Sequence, residues 1–310
     1  MRYAYLGPAG TFTEQALLQR PEASAPDAER VPHGSVDSAL AALRAGEVDA
    51  AVVPIENSVE GGVSATLDAL ATGDPLVVVA EMLVPITFVL AAPAGVTLAD
   101  VRAVGTHSHA WAQVRGWMST RLPEAAYVPT LSTAAAAAGL GGPTEDQTPY
   151  DAAVCAPVAA TVHGLELLAG DIGDNRAAVT RFVLVSRPGS GPAPTGADKS
   201  TMVLYQHEDH PGGLLGLLEQ FSVRGINLTR LESRPTGEGM GRYCFSIDIE
   251  GHVDDERVGE ALMGLRRVCA DVRFLGSYPR ADRLAATVAA GTQDADFQHA
   301  RSWLRSLRTP

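Results

Sequence analysis

Residues 186–197, Ser-Arg-Pro-Gly-Ser-Gly-Pro-Ala-Pro-Thr-Gly-Ala, constrain this chain more than any other stretch. Proline removes a backbone donor and glycine loses the most conformational freedom on ordering, so neither a helix nor a central strand tolerates that density. The chain must therefore fold as two parts joined by this segment. What each part becomes is read from its own periodicity.

The first part alternates strand and helix patterns. Residues 2–6 read as a strand, Gly7-Pro8-Ala9-Gly10 as a tight turn, and Thr11 and Glu14 stand in capping-box register at the start of an apolar helix. That turn is either an anion site built from free N–H groups or an ordinary strand-to-helix connection. Residues 35–45 form a second capped helix, with Val36, Leu40 and Leu43 on one face and Gly46 at its end. A buried strand over 50–53 then empties into Pro54-Ile55-Glu56-Asn57-Ser58-Val59-Glu60-Gly61-Gly62, ahead of a helix over 63–71. Asn57 and Ser58 suit a carboxylate or hydroxyl; a plain helix cap would account for Ser58 but leave Glu56 and Asn57 without a task. The apolar stretch 76–92 reads as two strands leading into a second lobe. There a strand over 103–105 opens on Thr106-His107-Ser108-His109 and a helix over 110–120, and further strand-helix units follow at 127–129, from Ser132, at 151–155 and at 156–163. Such alternation predicts an α/β fold with a largely parallel sheet in each lobe and a ligand cleft between polar strand mouths.

The chain returns through residues 167–168 to Asp174-Asn175-Arg176-Ala177-Ala178-Val179-Thr180-Arg181-Phe182, a loop running into an apolar strand. Thr180 offers a hydroxyl and Arg181 a guanidinium fork suited to carboxylates, at a strand mouth where α/β sheets place ligands. The competing reading is a β-branched residue opening a strand beside a surface arginine. His107 reads as a cleft hydrogen-bonder and proton donor or as a structural histidine, and His107 with His109 lacks a third ligand at metal spacing.

Beyond the linker, strands over 201–205, 227–232, 243–249 and 272–275 and helices marked by Leu214, Leu217, Leu218 and Phe221 and by residues 258–268 give the order β-α-β-β-α-β, a ferredoxin-like arrangement. Its open sheet edge favours pairing with a second copy. The last thirty residues place Phe297, Ala300, Leu304 and Leu307 at helical spacing beside Arg301, Arg305 and Arg308, as a packed helix, a frayed tail or a partner-binding helix.

Composition removes whole classes of function. A net charge of −12 without a basic stripe argues against nucleic acid and acidic membrane surfaces. The longest apolar run, 82–94, is broken by Pro85 and Thr87, short of the roughly 18 residues of a membrane span. The strand pattern beginning at Arg2 leaves no room for a signal peptide, which implies a cytoplasmic protein. Three scattered cysteines, Cys155, Cys244 and Cys269, read as reduced packed thiols, and the single lysine, Lys199, at the edge of the linker, all but excludes Schiff-base or Walker-type chemistry from the first 198 residues.

Five motifs in register carry a resemblance: Gly7-Pro8-Ala9-Gly10-Thr11-Phe12; Pro54-Ile55-Glu56-Asn57-Ser58 with Glu60-Gly61; Thr106-His107; Asn175 with Val179-Thr180-Arg181-Phe182; and Gly225-Ile226-Asn227-Leu228 leading to Glu232-Ser233-Arg234-Pro235. Over residues 2–278 the chain resembles the prephenate dehydratase family. The resemblance implies a two-lobed catalytic domain over 1–185, similar in shape to type II periplasmic binding proteins, with lobe one at about 1–80 and 160–185 and lobe two at about 81–159. It further implies a linker over 186–198, a ferredoxin-like βαββαβ ACT regulatory domain over 199–278 and a partly helical tail over 279–310. The reaction it implies is decarboxylating dehydration of prephenate to phenylpyruvate, carbon dioxide and water in L-phenylalanine biosynthesis, without cofactor or metal, under feedback by phenylalanine.

On that resemblance Thr180, His107 and Glu56 are the catalytic candidates, and Asn57, Ser58, Thr11, Thr106, Arg181 and Phe182 bind substrate. Gly212, Gly213, Leu214, Leu215, Asn227, Leu228, Glu232, Ser233, Arg234 and Pro235 bind the effector, at a homodimer or homotetramer interface formed through the ACT domain. Two departures stand out: Ser108-His109 follows the cleft histidine where the family often has Pro-Gln, and Gly212-Gly213-Leu214-Leu215 replaces the usual Gly-Ala-Leu-Leu. Arogenate dehydratase, acting on the amino analogue, is an alternative with the same motifs. A non-catalytic phenylalanine-binding regulator would predict loss of Thr180 or of Asn57-Ser58, and both are intact.

Overall fold

The structure, a computed structural model, describes residues 1–142, 148–237, 239 and 242–308. It divides into two compact units: residues Met1–Val63 with Met82–Phe182, and residues Ser64–Glu81 with those from Val183 onward. The division cuts through two strands, after Glu81 and after Phe182, so no single point in the linker separates the units.

In chain order the elements up to the linker are β1 (Arg2–Leu6), α1 (Phe12–Leu18), β2 (Glu29–His33), α2 (Val36–Arg44), β3 (Ala50–Asn57), β4 (Gly61–Gly62), α3 (Ser64–Ala71), β5 (Val77–Pro85) and β6 (Val89–Ala92). They continue with β7 (Ala103–Thr106), α4 (Ser108–Arg121), β8 (Ala126–Pro129), α5 (Thr133–Gly141), β9 (Ala152–Cys155), α6 (Pro157–Val162), β10 (Glu166–Ala169) and β11 (Val179–Ser186). One sheet runs β2-β1-β3-β11-β5 with β4 folded back on β3, and β1 pairs parallel with both β2 and β3. A second runs β10-β6-β9-β7-β8. Helical crossovers α4 and α5 make β7, β8 and β9 parallel, whereas β6 enters directly from β5 and lies antiparallel to both β9 and β10. This second sheet is therefore mixed rather than largely parallel.

Small residues let the second lobe pack tightly. Val89, Ala91, Ala134, Ala137, Cys155, Ala159 and Ala160 form one buried cluster, so α5 and α6 approach their sheet at alanine distance. Burial pushes the Cys155 thiol up to about 12, which leaves it a packed, unreactive side chain. Gly10 has φ +83°, and a Cβ there would sit 3.0 Å from the Ala159 backbone; the turn before α1 requires glycine on both counts.

The second unit completes its own sheet with β12 (Asp198–Tyr205), α7 (Gly213–Ser222), β13 (Leu228–Pro235), β14 (Tyr243–Glu250), α8 (Glu256–Val268) and β15 (Asp271–Pro279), followed by α9 (Asp294–Arg308). The strand order β13-β14-β12-β15, all antiparallel, is the ferredoxin-like arrangement. Its core joins Leu217 and Phe221 of α7 and Val258, Ala261 and Leu265 of α8 to Met202, Leu204, Ile247 and Ile249 of the sheet. Lys199, at the edge of the linker, is the second residue of β12, with its Nζ 3.0 Å from the buried Glu81 carboxylate. Along α9, Arg301 pairs with Glu256 and Glu260 of α8. Among the described residues no helix is long and apolar enough to cross a membrane, and no cluster of metal-binding side chains is present.

Candidate active site

The end of β3 and the start of β11 lie side by side, and their junction is the polar centre of the first unit. Ser58 clamps it: its N–H donates to the Val179 carbonyl at 2.9 Å, and its Oγ accepts the Val179 N–H at 2.9 Å. Asn57, one residue earlier, points its amide at Thr180. Its Oδ1 accepts the N–H groups of Val59 (2.8 Å) and Glu60 (3.2 Å), an Asx-turn that leaves only the NH2 end to face the next strand. Nδ2 therefore donates to Thr180 Oγ1 at 2.8 Å. With its oxygen occupied as an acceptor, the nearly buried Thr180 keeps its own proton for a group in front of it.

In front of it lies a cavity of roughly 310 Å³, in the range of small-ligand sites. Thr11, Asn57, His107, Thr180 and Phe182 line it, so the structure brings together five residues that the sequence reading placed on the reaction. Phe12 and Phe88 meet edge to face at 5.8 Å and 86°, giving the cavity an aromatic wall. Two helices of the second lobe open onto it. His107 caps α4, whose first turn carries no acidic residue, and Ser132 caps α5 by accepting the Ala135 N–H at 2.9 Å. Both helix N-termini turn their partial positive charge toward the cavity.

The His107 ring has a defined role for each nitrogen. Nδ1 accepts the His109 N–H at 3.3 Å, which assigns the proton of the neutral ring to Nε2. Burial, with His109 adding to it and Glu60 opposing, holds the imidazole below its ordinary value, so the neutral form is the one at neutral pH. Thr11 is partly committed, its Oγ1 donating to the Leu6 carbonyl (2.9 Å) and accepting the Glu14 N–H (3.3 Å). Glu14 completes the cap from Gly10 rather than from Thr11, accepting the Gly10 N–H at 2.7 Å.

Four expected site residues do not line the cavity. Arg181 follows Thr180 on a strand, and successive side chains point to opposite faces; its guanidinium is buried with Nη1 3.4 Å from Glu56 Oε2, and neither residue lines the cavity. Ser58 is used in the β3–β11 clamp. Thr106 is fully buried and donates to the Val154 carbonyl at 2.8 Å, tying β7 to β9. Conversely, Phe88, Gln113, Ser132 and Thr133 line the cavity without having been singled out. Ser132 had a signal, its cap position at the head of the alanine-rich helix; Phe88 and Gln113 sit in ordinary apolar and helical patterns and had none.

In the second unit, Asn227 and Leu228 line an open groove with Leu218, Ser222 and Arg230. Gly212 caps α7 at φ +86°, and Gly213 is buried where a Cβ would come 2.7 Å from Gln206 Nε2, so the absent methyl makes room for that side chain. Leu214 and Leu215 are exposed at 36% and 60%. Glu232, Ser233, Arg234 and Pro235 run along the edge strand β13, and the Arg234 guanidinium holds Asp68 of α3 by two bonds of 2.9 and 2.7 Å. Neither the head of α7 nor these four residues line the groove that holds Asn227.

Known proteins match both parts. The family model for prephenate dehydratase matches residues 3–190, and that for the ACT domain residues 201–267. A prephenate dehydratase of Amycolatopsis methanolica is 47% identical over 308 residues, covering 99% of this chain and 98% of that protein. Among solved structures, prephenate dehydratase from Arthrobacter aurescens in complex with L-Phe superposes with a TM-score of 0.94 at 57% identity over the whole of both chains. GqqA, described as a quorum-quenching acylase, superposes with a TM-score of 0.77 at 30% identity over 90% of this chain and 98% of its own.

Proposed function

The chain belongs to the prephenate dehydratase family, and we propose that it converts prephenate to phenylpyruvate, carbon dioxide and water at the cavity in front of Thr180. The observation that carries this reading is the fixed amide of Asn57, which donates to Thr180 Oγ1 and so leaves the hydroxyl of this cavity-lining residue to act as a donor. In the reaction the ring carboxylate departs as carbon dioxide, its bonding electrons enter the ring, and the C–O electron pair at the far carbon leaves with the hydroxyl. Thr180 donates a hydrogen bond to that hydroxyl as negative charge develops on it, and one proton taken up there completes the water. Aromatisation drives the step, so the protein's task is to hold two carboxylates and help one leaving group.

The N-termini of α4 and α5 and the Nε2–H of His107 supply donors for the carboxylates, and Phe12, Phe88 and Phe182 flank the ring. Glu56 and Arg181 act on the far side of the strands as a pair that holds β3 against β11, and Ser58 and Thr106 keep the same elements in register. Catalysis is assigned to residues 1–185 and regulation to 199–278, in keeping with the two family matches. The biosynthetic relatives support a cytoplasmic setting.

Phenylalanine binds the regulatory part in this reading, which the complex of the Arthrobacter aurescens relative with L-Phe supports. Arg234, in the effector segment, grips Asp68 on α3, and α3 follows directly on the Asn57–Gly62 segment that orients Thr180. Effector binding that favours one arrangement of β13 thereby acts on the loop that sets the donor. The edge strand β13, with Leu231 exposed at 40%, is where a second copy pairs. The direct test is an assay of the purified protein on prephenate with and without millimolar phenylalanine. Turnover suppressed by phenylalanine supports both halves; turnover of arogenate alone would move the substrate to the amino analogue, and turnover of neither would remove the reading.

A further inference from the structure

The proposed substrate is a dianion, yet the cavity is sparing with positive charge. Among the described residues lining it, only Glu60, His107 and His109 carry a titratable charge, and no lysine or arginine does. An acid in a site for two carboxylates works against the ligand unless something covers it. His109 does so: its Nδ1 lies 3.0 Å from Glu60 Oε2. Glu60 comes from the loop after β3 and His109 from the first turn of α4, so the contact joins the two lobes across the cavity. Both side chains are partly exposed, Glu60 at 43% and His109 at 66%, and each residue has a second contact. The Glu60 N–H is held by Asn57 Oδ1 at 3.2 Å, and the His109 ring packs edge to face on His107 at 5.1 Å.

We propose that the Glu60–His109 pair is a specificity-determining element that sets which side-chain charge the site accepts; this rests on the dehydratase reading above. With one carboxylate oxygen accepting a hydrogen bond from His109, Glu60 is less available to the ligand, and the site favours the keto-acid side chain of prephenate. Without His109, the bare carboxylate repels a dianion and attracts the ammonium of arogenate, the amino analogue of the same ring. The difference lies in ground-state binding and acts through KM, because neither residue meets the departing hydroxyl.

The test is kcat and KM on both substrates for the wild type, His109→Leu, His109→Gln and the double variant Glu60→Gln/His109→Leu. In His109→Leu, KM for prephenate rises and KM for arogenate falls, each by about fivefold at low salt, the scale of uncovering one partly exposed charge to the ligand. His109→Gln, whose amide can still donate to Glu60, keeps the wild-type ratio of kcat/KM between the substrates. The double variant, with no charge to uncover, returns KM for prephenate toward the wild-type value and loses the gain on arogenate. A ratio that does not move in His109→Leu, or that moves equally in the double variant, overturns the proposal. Wild-type protein that turns over neither substrate overturns the dehydratase reading instead.

Discussion

At the residue scale, hydrogen-bond polarity decides what Thr180 can do. Asn57 offers it a donor only because backbone N–H groups occupy the amide oxygen. Asn57→Asp preserves size and keeps one oxygen for Val59 and Glu60, but the second oxygen accepts from Thr180 and consumes the proton the reaction uses. The expected result is a fall in kcat of about 100-fold, the low end for a lost acid–base contribution, with an unchanged circular dichroism spectrum. His107 gives a second prediction. Its lowered pKa means that it gains a proton only at pH below its ordinary 6.5, and protonation at Nδ1 replaces the acceptor for the His109 N–H with a donor. Activity is thus complete above that pH and lost below it: the acid limb of kcat/KM lies under 6.5 in the wild type and is weakened in His107→Gln. A limb above 6.5 that survives in the variant would assign it to another group.

At the scale of elements, strand alternation decides which motif residues act together. Thr180 and Arg181 read as a pair because they are adjacent in sequence, yet a period of two sends them to opposite faces, and the useful neighbours are Thr180 and Phe182. The strand itself was legible, and the sheet register that chooses the cavity face was not, since it depends on the partner β3. β2 was missed for a related reason: Glu-Arg-Val-Pro-His at a sheet edge is mostly solvated and has no alternation to detect. The helix α3 carries the prediction for regulation. Asp68 is half exposed but meets Arg234 with bidentate geometry, so Asp68→Asn weakens the link by the modest amount of a surface pair. Basal kcat should stay within about twofold while the phenylalanine concentration for half inhibition rises by about fivefold. Inhibition unchanged in that variant would route the signal through a different element.

At the scale of the whole molecule, the α/β alternation and the βαββαβ order were legible because each is local: periodicity and element sequence suffice. Contacts that join distant positions were not. The single lysine reads as standing at the edge of the linker, and its bond to Glu81 spans 118 positions; the Glu60–His109 contact joins a loop to the first turn of a helix that periodicity treats separately. The division of the chain at Glu81 and Phe182, rather than in the Pro/Gly segment, has the same origin, since β5 and β11 pass from one unit to the other within regular strands. Four of the five motifs meet at one cavity because each sits at a strand mouth or helix head, while the fifth belongs to the second unit. The most direct test of the central claim is the steady-state rate of phenylpyruvate formation from prephenate by wild type, Thr180→Val and Thr180→Ser. Valine keeps the β-branch and removes the proton, so kcat should drop by at least about 100-fold with KM within about threefold, and serine should restore most of it. A Thr180→Val protein with wild-type kcat would contradict the account.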